Sequence, residues 1–312
     1  MKKICMGACL VASLGFCSLA MAKDIDAIDV FAGNSLFVIA SADISSLANN
    51  QTVHDLIVAS GDKGIYSGTR ELAKYGVDYK KDIKSVVLAI DVNQHACFVF
   101  DTSKSIKDGW NQFVQKEHFS SEKYGNYDVV AVEDDGKAVL LSDKRLLFCE
   151  PDFDTNRVLD NVAKPKTLKA TDSVLYTAYS QTSAKSEVRI AGKMVDSIRR
   201  EAAEEASISD GNVSVSAADA EAVSVSFSMK KGASLDVRVL TKSDKVAADA
   251  ASIVNKQFVP MLSDPALARE GLGFLASVVK VASSKKYLTV NVKLTADHVA
   301  TLIGKLARNN ER

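Results

Sequence analysis

His95, Cys97 and Asp101 are the residues whose types and spacing come nearest to a catalytic set. They fall in the run His95–Asp101, which reads as a strand, and two-residue alternation turns all three to one face. A thiol beside an imidazole can act as a nucleophile if the base is in reach and the sulfur meets solvent. Oxidation is the rival chemistry. Beyond the first 22 residues the chain holds one other cysteine, Cys149, in the strand-like run Arg145–Glu150. A Cys97–Cys149 disulfide requires those two runs to be neighbouring strands. Closing that loop would contribute about 4 kcal/mol through chain entropy. Two buried free thiols are the alternative.

Metal chemistry finds little to use. His54, His95, His118 and His298 sit in different elements without ligand spacing. Asp24, Asp26 and Asp29 form a D-x-D-x-x-D run that lacks the glycine and distal glutamate of a calcium loop. It reads as a solvated leader. Glu201, Glu204 and Glu205 beside Arg199 and Arg200 read as an exposed helix face. No Gly-rich phosphate loop, no G-x-S-x-G elbow and no H-E-x-x-H pair occurs. The sequence therefore nominates no catalytic residue, no cofactor-binding residue, no metal ligand and no cofactor. Tyr124 and Tyr127, read as loop residues, and Tyr176 and Tyr179, read as sharing a strand but pointing to opposite faces, are aromatic positions that suit either a binding groove or core packing.

Compartment is the firmest reading. Lys2 and Lys3 precede an uncharged run from Ile4 to Leu19, and Ala20-Met21-Ala22 closes it with small residues. Residues 1–22 read as a signal peptide cleaved between Ala22 and Lys23. The competing readings are an uncleaved anchor and a lipoprotein, but the run is shorter than the roughly 20 residues a span requires. Cys17 follows the bulky Phe16, which suits acylation poorly. No other run is long enough to span a membrane. Periplasmic or secreted location is expected.

Without that leader, 290 of 312 residues remain, with 37 basic against 39 acidic groups, a net charge of −2. Such a balance gives no global attraction to nucleic acid. A content of 47% apolar and 25% charged residues is that of a folded chain.

The elements follow from periodicity. Strands are predicted at Leu36–Ile44, Ser85–Val92, Cys97–Asp101, Tyr127–Val132, Ala138–Ser142, Arg145–Cys149, Val174–Tyr179, Val213–Ala217, Val223–Met229, Leu235–Leu240, Val278–Ala282 and Tyr287–Leu294. Helices are predicted at Val53–Ser60, Thr69–Tyr75, Ser105–Lys116, Asp154–Val162, Lys185–Ser207, after Ser243, over Pro265–Leu275 and after Thr295. Asp134-Asp135-Gly136 supplies a turn. Pro165 in the polar stretch Lys164–Thr171 suggests a domain boundary. The fold class is α+β: two related lobes, 23–163 and 172–312, each an antiparallel sheet with helices packed on one face.

The strand-to-turn segment Leu36–Ser45 (LFVIASADIS), the segment Tyr75–Ile83 (YGVDYKKDI) leading into a strand, and Tyr124-Gly125-Asn126-Tyr127 carry a resemblance. So do Met229–Leu240 and the capped last helix. The chain resembles a loose group of uncharacterised exported bacterial proteins. The resemblance implies a duplicated α+β architecture and a periplasmic or cell-surface place, and it brings no site residues. The expected function is an exported, soluble, non-enzymatic binding or interaction protein of the bacterial envelope, with an envelope protein as partner. A periplasmic carrier of a small apolar ligand is the first alternative, and an enzyme of unrecognised class the second.

Overall fold

The computed structural model describes residues 25–60, 77–132, 136–196, 198–200, 207–211 and 213–310. The leader with its cleavage point at Ala22 and Lys23, the Thr69–Tyr75 helix, the Asp134-Asp135 turn and the Glu201–Glu205 face lie outside the described residues.

Alternation along the strands sets the architecture. In Ala220–Ser228, Val223, Val225 and Phe227 point to one face, while Ala222, Ser224 and Ser226 point to the other. Most of the fold is built this way. In chain order the strands are β1 (Leu36–Ala42), β2 (Ile83–Asp91), β3 (Ala96–Thr102), β4 (Ser121–Tyr124), β5 (Tyr127–Ala131), β6 (Lys137–Ser142) and β7 (Arg145–Cys149). They continue with β8 (Val188–Lys193), β9 (Ser207–Asp210), β10 (Val213–Ser216), β11 (Ala220–Ser228), β12 (Ala233–Thr241), β13 (Val279–Ser284) and β14 (Tyr287–Leu294). Twelve of them form one antiparallel sheet, ordered β13-β14-β12-β11-β8-β1-β2-β3-β7-β6-β5-β4, and β9 and β10 form a separate hairpin.

The α+β class is as expected. The strands of 23–163 and 172–312 join in that one sheet, because β1 pairs with β8, with Ala40 opposite Ile190. The two halves share part of their route. β1, β2 and β3 form a meander and β7 returns beside β3; β8, β11 and β12 form another, interrupted by the separate β9–β10 hairpin, and β14 returns beside β12. The N-terminal half returns four strands, β4 to β7, and the C-terminal half returns two, β13 and β14.

Helices roof the first face. Ile28, Phe31, Val158, Leu159, Leu168 and Leu175 meet Val87, Val99, Val139 and Leu147 of the sheet in one buried cluster. Each such side chain, fully buried, is worth about 1.5–3 kcal/mol. Caps make the roof helices short and separate. Asp154 accepts from Arg157 N at 3.0 Å, Thr167 from Ala170 N at 3.3 Å and Asp172 from Leu175 N at 3.1 Å.

Three expectations are corrected here. Val174–Tyr179, expected as a strand, lies in a helix, Ser173–Ser180, started by the Asp172 cap. Leu175, Ala178 and Tyr179 face the core at helical spacing, while Val174 is exposed. A run rich in β-branched and aromatic residues, Val174, Tyr176, Thr177 and Tyr179, hid that period. Lys185–Ser207, expected as a helix, contains β8, and only residues 196 and 198–200 of the described part are helical. The third concerns Asp29. It belongs to the helix Ile25–Asp29, and its carboxylate accepts from Leu168 N at 2.7 Å. Its neighbours Ala27, Ile28 and Phe31 are buried, so the segment is a core plug and no solvated leader.

Leu168, in the stretch read as a boundary, is fully buried in the same cluster. The helix that starts after Ser243 runs past Pro260. Asp244–Ile253 continues through a π-helical turn, Val254–Phe258, into Val259–Met261, which absorbs the missing donor. The last helix is Ala296–Asn310, and Thr295 Oγ1 accepts from His298 N at 3.3 Å.

Candidate functional site

Cys97 and Cys149 are bridged. They stand directly opposite each other on β3 and β7, with Cα atoms 4.0 Å apart, and both are fully buried. Oxidation and burial remove Cys97 from nucleophilic chemistry. His95 turns away to Asp91, with Nδ1 3.2 Å from Oδ2. Asp101 is held by Arg145, which donates from Nε at 2.6 Å and from NH2 at 3.0 Å. The three residues that looked catalytic are thus occupied separately. Among the described residues no three His, Cys, Asp or Glu side chains come close enough to share a metal.

Tyr179 is buried, and Tyr124, Tyr127 and Tyr176 are half-buried at the margin of the first-face core. Tyr124 and Tyr127 are paired across the β4–β5 hairpin, not in a loop, and both pack on the first-face cluster. Tyr124 donates to Asp160 Oδ1 at 2.9 Å, and that bond raises its pKa. Tyr176 packs on the same cluster from the roof.

Sequence reasoning missed two buried charges. Arg189 on β8 lies under the roof with its guanidinium 4.1 Å from the centre of the Tyr179 ring. It donates to Thr182 Oγ1 at 2.6 Å and to Tyr179 O at 3.3 Å. Burial lowers its pKa and raises that of Tyr179, whose hydroxyl lies 2.6 Å from Ser41 Oγ. A cation held over an aromatic face is worth about 2 kcal/mol when desolvated. Glu187 is buried too. It accepts from Ser228 Oγ at 2.5 Å, Met229 N at 3.0 Å and Ser46 Oγ at 3.3 Å, with Lys230 Nζ 3.6 Å away. Saturation by these donors makes it a tie between β8, β11 and the Ile44–Ala48 helix. Neither charge stands out in the sequence, because both fall in the stretch Lys185–Ser207, whose charges read as the wet side of a helix.

The second face of the sheet carries apolar side chains in nearly every row. Leu88, Phe98 and Phe148 continue into Ile190, Val225, Val237 and Val290. Phe98 lies 6.3 Å from Phe100 and 6.4 Å from Phe148, ring centre to ring centre. Phe98 is buried, but Leu88, Phe100, Phe148, Ile190, Val225 and Val237 stay half-buried. The first face has a different opening. At its end, beside β7, a cleft of about 340 Å³ is lined by Val30, Lys84, Asp101, Thr102, Leu141, Ser142, Lys144, Arg145 and Val162.

No family model and no curated protein matches the chain. Solved structures do. Crystal form IV of TP0453 superposes with a TM-score of 0.50 at 8% identity, covering 90% of this chain and 96% of that one. Crystal form III gives 0.49 at 8% identity, covering 89% and 98%, and crystal form I gives 0.47 at 12% identity, covering 90% and 97%. The likeness to form IV is one of fold. None of the described helices is long and apolar enough to cross a membrane.

Proposed function

We propose that the protein is exported, loses residues 1–22, and works in the bacterial envelope as a non-enzymatic binding protein that receives a partner protein on its second sheet face. The observation that carries this reading is the row of half-buried apolar side chains running from Leu88 through Ile190 to Val237. The Ile44–Ala48 helix covers this row in part, and the apolar area that still meets water is stabilised when a partner covers it. The Cys97–Cys149 bridge supports an oxidising compartment. The part of the route that the two halves share supports a duplicated frame.

The test is photo-crosslinking in intact cells from a reactive residue replacing Val225 or Val237. The reading expects one discrete protein adduct that is absent when the reactive residue replaces the exposed Lys280 of β13. Adducts with lipid alone would instead favour the carrier of an apolar ligand. Substrate turnover by the purified protein, abolished by one point change, would overturn the non-enzymatic reading.

A further inference from the structure

We infer that the cleft at the end of the first face is a binding site for a small anionic amphiphile, a free molecule with one carboxylate or phosphate head and a short apolar body. The proposal goes beyond the partner surface, since it concerns the opposite face of the sheet.

Its lining divides by chemistry. Val30, Leu141 and Val162 form an apolar wall that is continuous with the first-face core. The single acid, Asp101, is neutralised by the two bonds from Arg145, and Ser85 Oγ donates to it at 3.4 Å. The Thr102 hydroxyl is committed to the carbonyls of Lys104 at 2.7 Å and Lys144 at 3.1 Å. With Asp101 and Arg145 cancelling, Lys84 and Lys144 leave the cleft with an excess of positive charge. Both lysines line the cleft and are exposed, so their side chains can reach an anion at its mouth, while the apolar wall lies at the core side.

A cleft of this form discriminates on two grounds. A bare anion meets the ammonium groups but leaves the wall wet. A neutral chain covers the wall but leaves the charges unmatched. Only a molecule with both parts satisfies both, and the volume lies near the lower end of the roughly 300–1,000 Å³ found for small-molecule sites. Opposite charge adds selectivity and speeds association.

Calorimetric titration of the whole protein with decanoate, 1-decanol and acetate tests this. Decanoate is expected to bind, with 1-decanol and acetate each at least about tenfold weaker. The double variant Lys84→Glu/Lys144→Glu is expected to weaken decanoate by more than about tenfold. Its urea midpoint should not move, because both lysines are exposed. Leu141→Gln should weaken decanoate while leaving the weak acetate response unchanged. Equal affinity for acetate, equal affinity for 1-decanol, or full decanoate affinity in the double variant would each overturn the proposal. The partner adduct at Val225 serves as an independent readout, since it survives the loss of the cleft if the two sites are separate.

Discussion

One row of paired residues crosses the entire first face, from Glu122 on β4 to Lys280 on β13. On the N-terminal side it runs through Val129, Val139, Leu147, Val99 and Val87, all buried. At β1 it changes character. Ser41, Arg189, Ser226, Asp236, Asn291 and Lys280 follow in register. The backbone ladder is unbroken, yet on this face the apolar row gives way to polar residues at β1, beneath the last roof helix. The roof helices lie over β1 and the N-terminal strands, and the Ser173–Ser180 helix reaches only as far as β8 and β11. Hydrogen bonding therefore runs through the whole sheet on one plane, whereas apolar burial changes sides: the C-terminal strands pack their other face, through Phe227 and Leu288, on the Asp244–Ile253 and Ala296–Asn310 helices.

That contrast can be broken deliberately. Leu147→Ala, in the roofed half, is expected to cost about 2–5 kcal/mol in urea unfolding, because the roof cannot collapse fully into the space. Replacing both Cys97 and Cys149 by Ala is expected to cost about 2–4 kcal/mol, measured the same way, with no further loss on adding reductant. Tyr179→Phe, at the seam between the halves, should cost about 1 kcal/mol through the lost bond to Ser41. It also has a pH signature. Burial raises the Tyr179 pKa in the folded state. Its neutral form is thus favoured by folding, and the stability this gives is complete below the ordinary tyrosine value near 10. It is lost as pH rises through 10 towards the folded value. Stability curves measured between pH 8 and 11 should fall less steeply for Tyr179→Phe than for the native chain. Asn291→Ala, the row equivalent in the unroofed half, should stay within about 0.5 kcal/mol. A large cost there would show that the two halves are cohesive in the same way.

Much of this was legible from residues alone. Period-two alternation found most strands, and the requirement that Cys97 and Cys149 lie on neighbouring strands is met by β3 and β7. Failures occurred where tertiary partners override local pattern. Arg189 made β8 look like an amphipathic helix, and the ring that accommodates it comes from Tyr179, ten residues earlier. Asp29 made the N-terminal segment look solvated, although its partner is the backbone of Leu168, reached only after the chain has built seven strands. The cleft had no sequence signature at all. Its lining is drawn from separate stretches between Val30 and Val162, which only the sheet brings together.

The Cys97–Cys149 bridge also has a mechanical meaning. It fastens β3 to β7 and closes the 52-residue excursion between them, which contains the Lys107–Lys116 helix and strands β4 to β6, into a ring. A pull applied at the two ends of the chain passes through the sulfur atoms and bypasses that ring. The oxidised molecule should then extend about 180 Å less than the reduced one when stretched out fully.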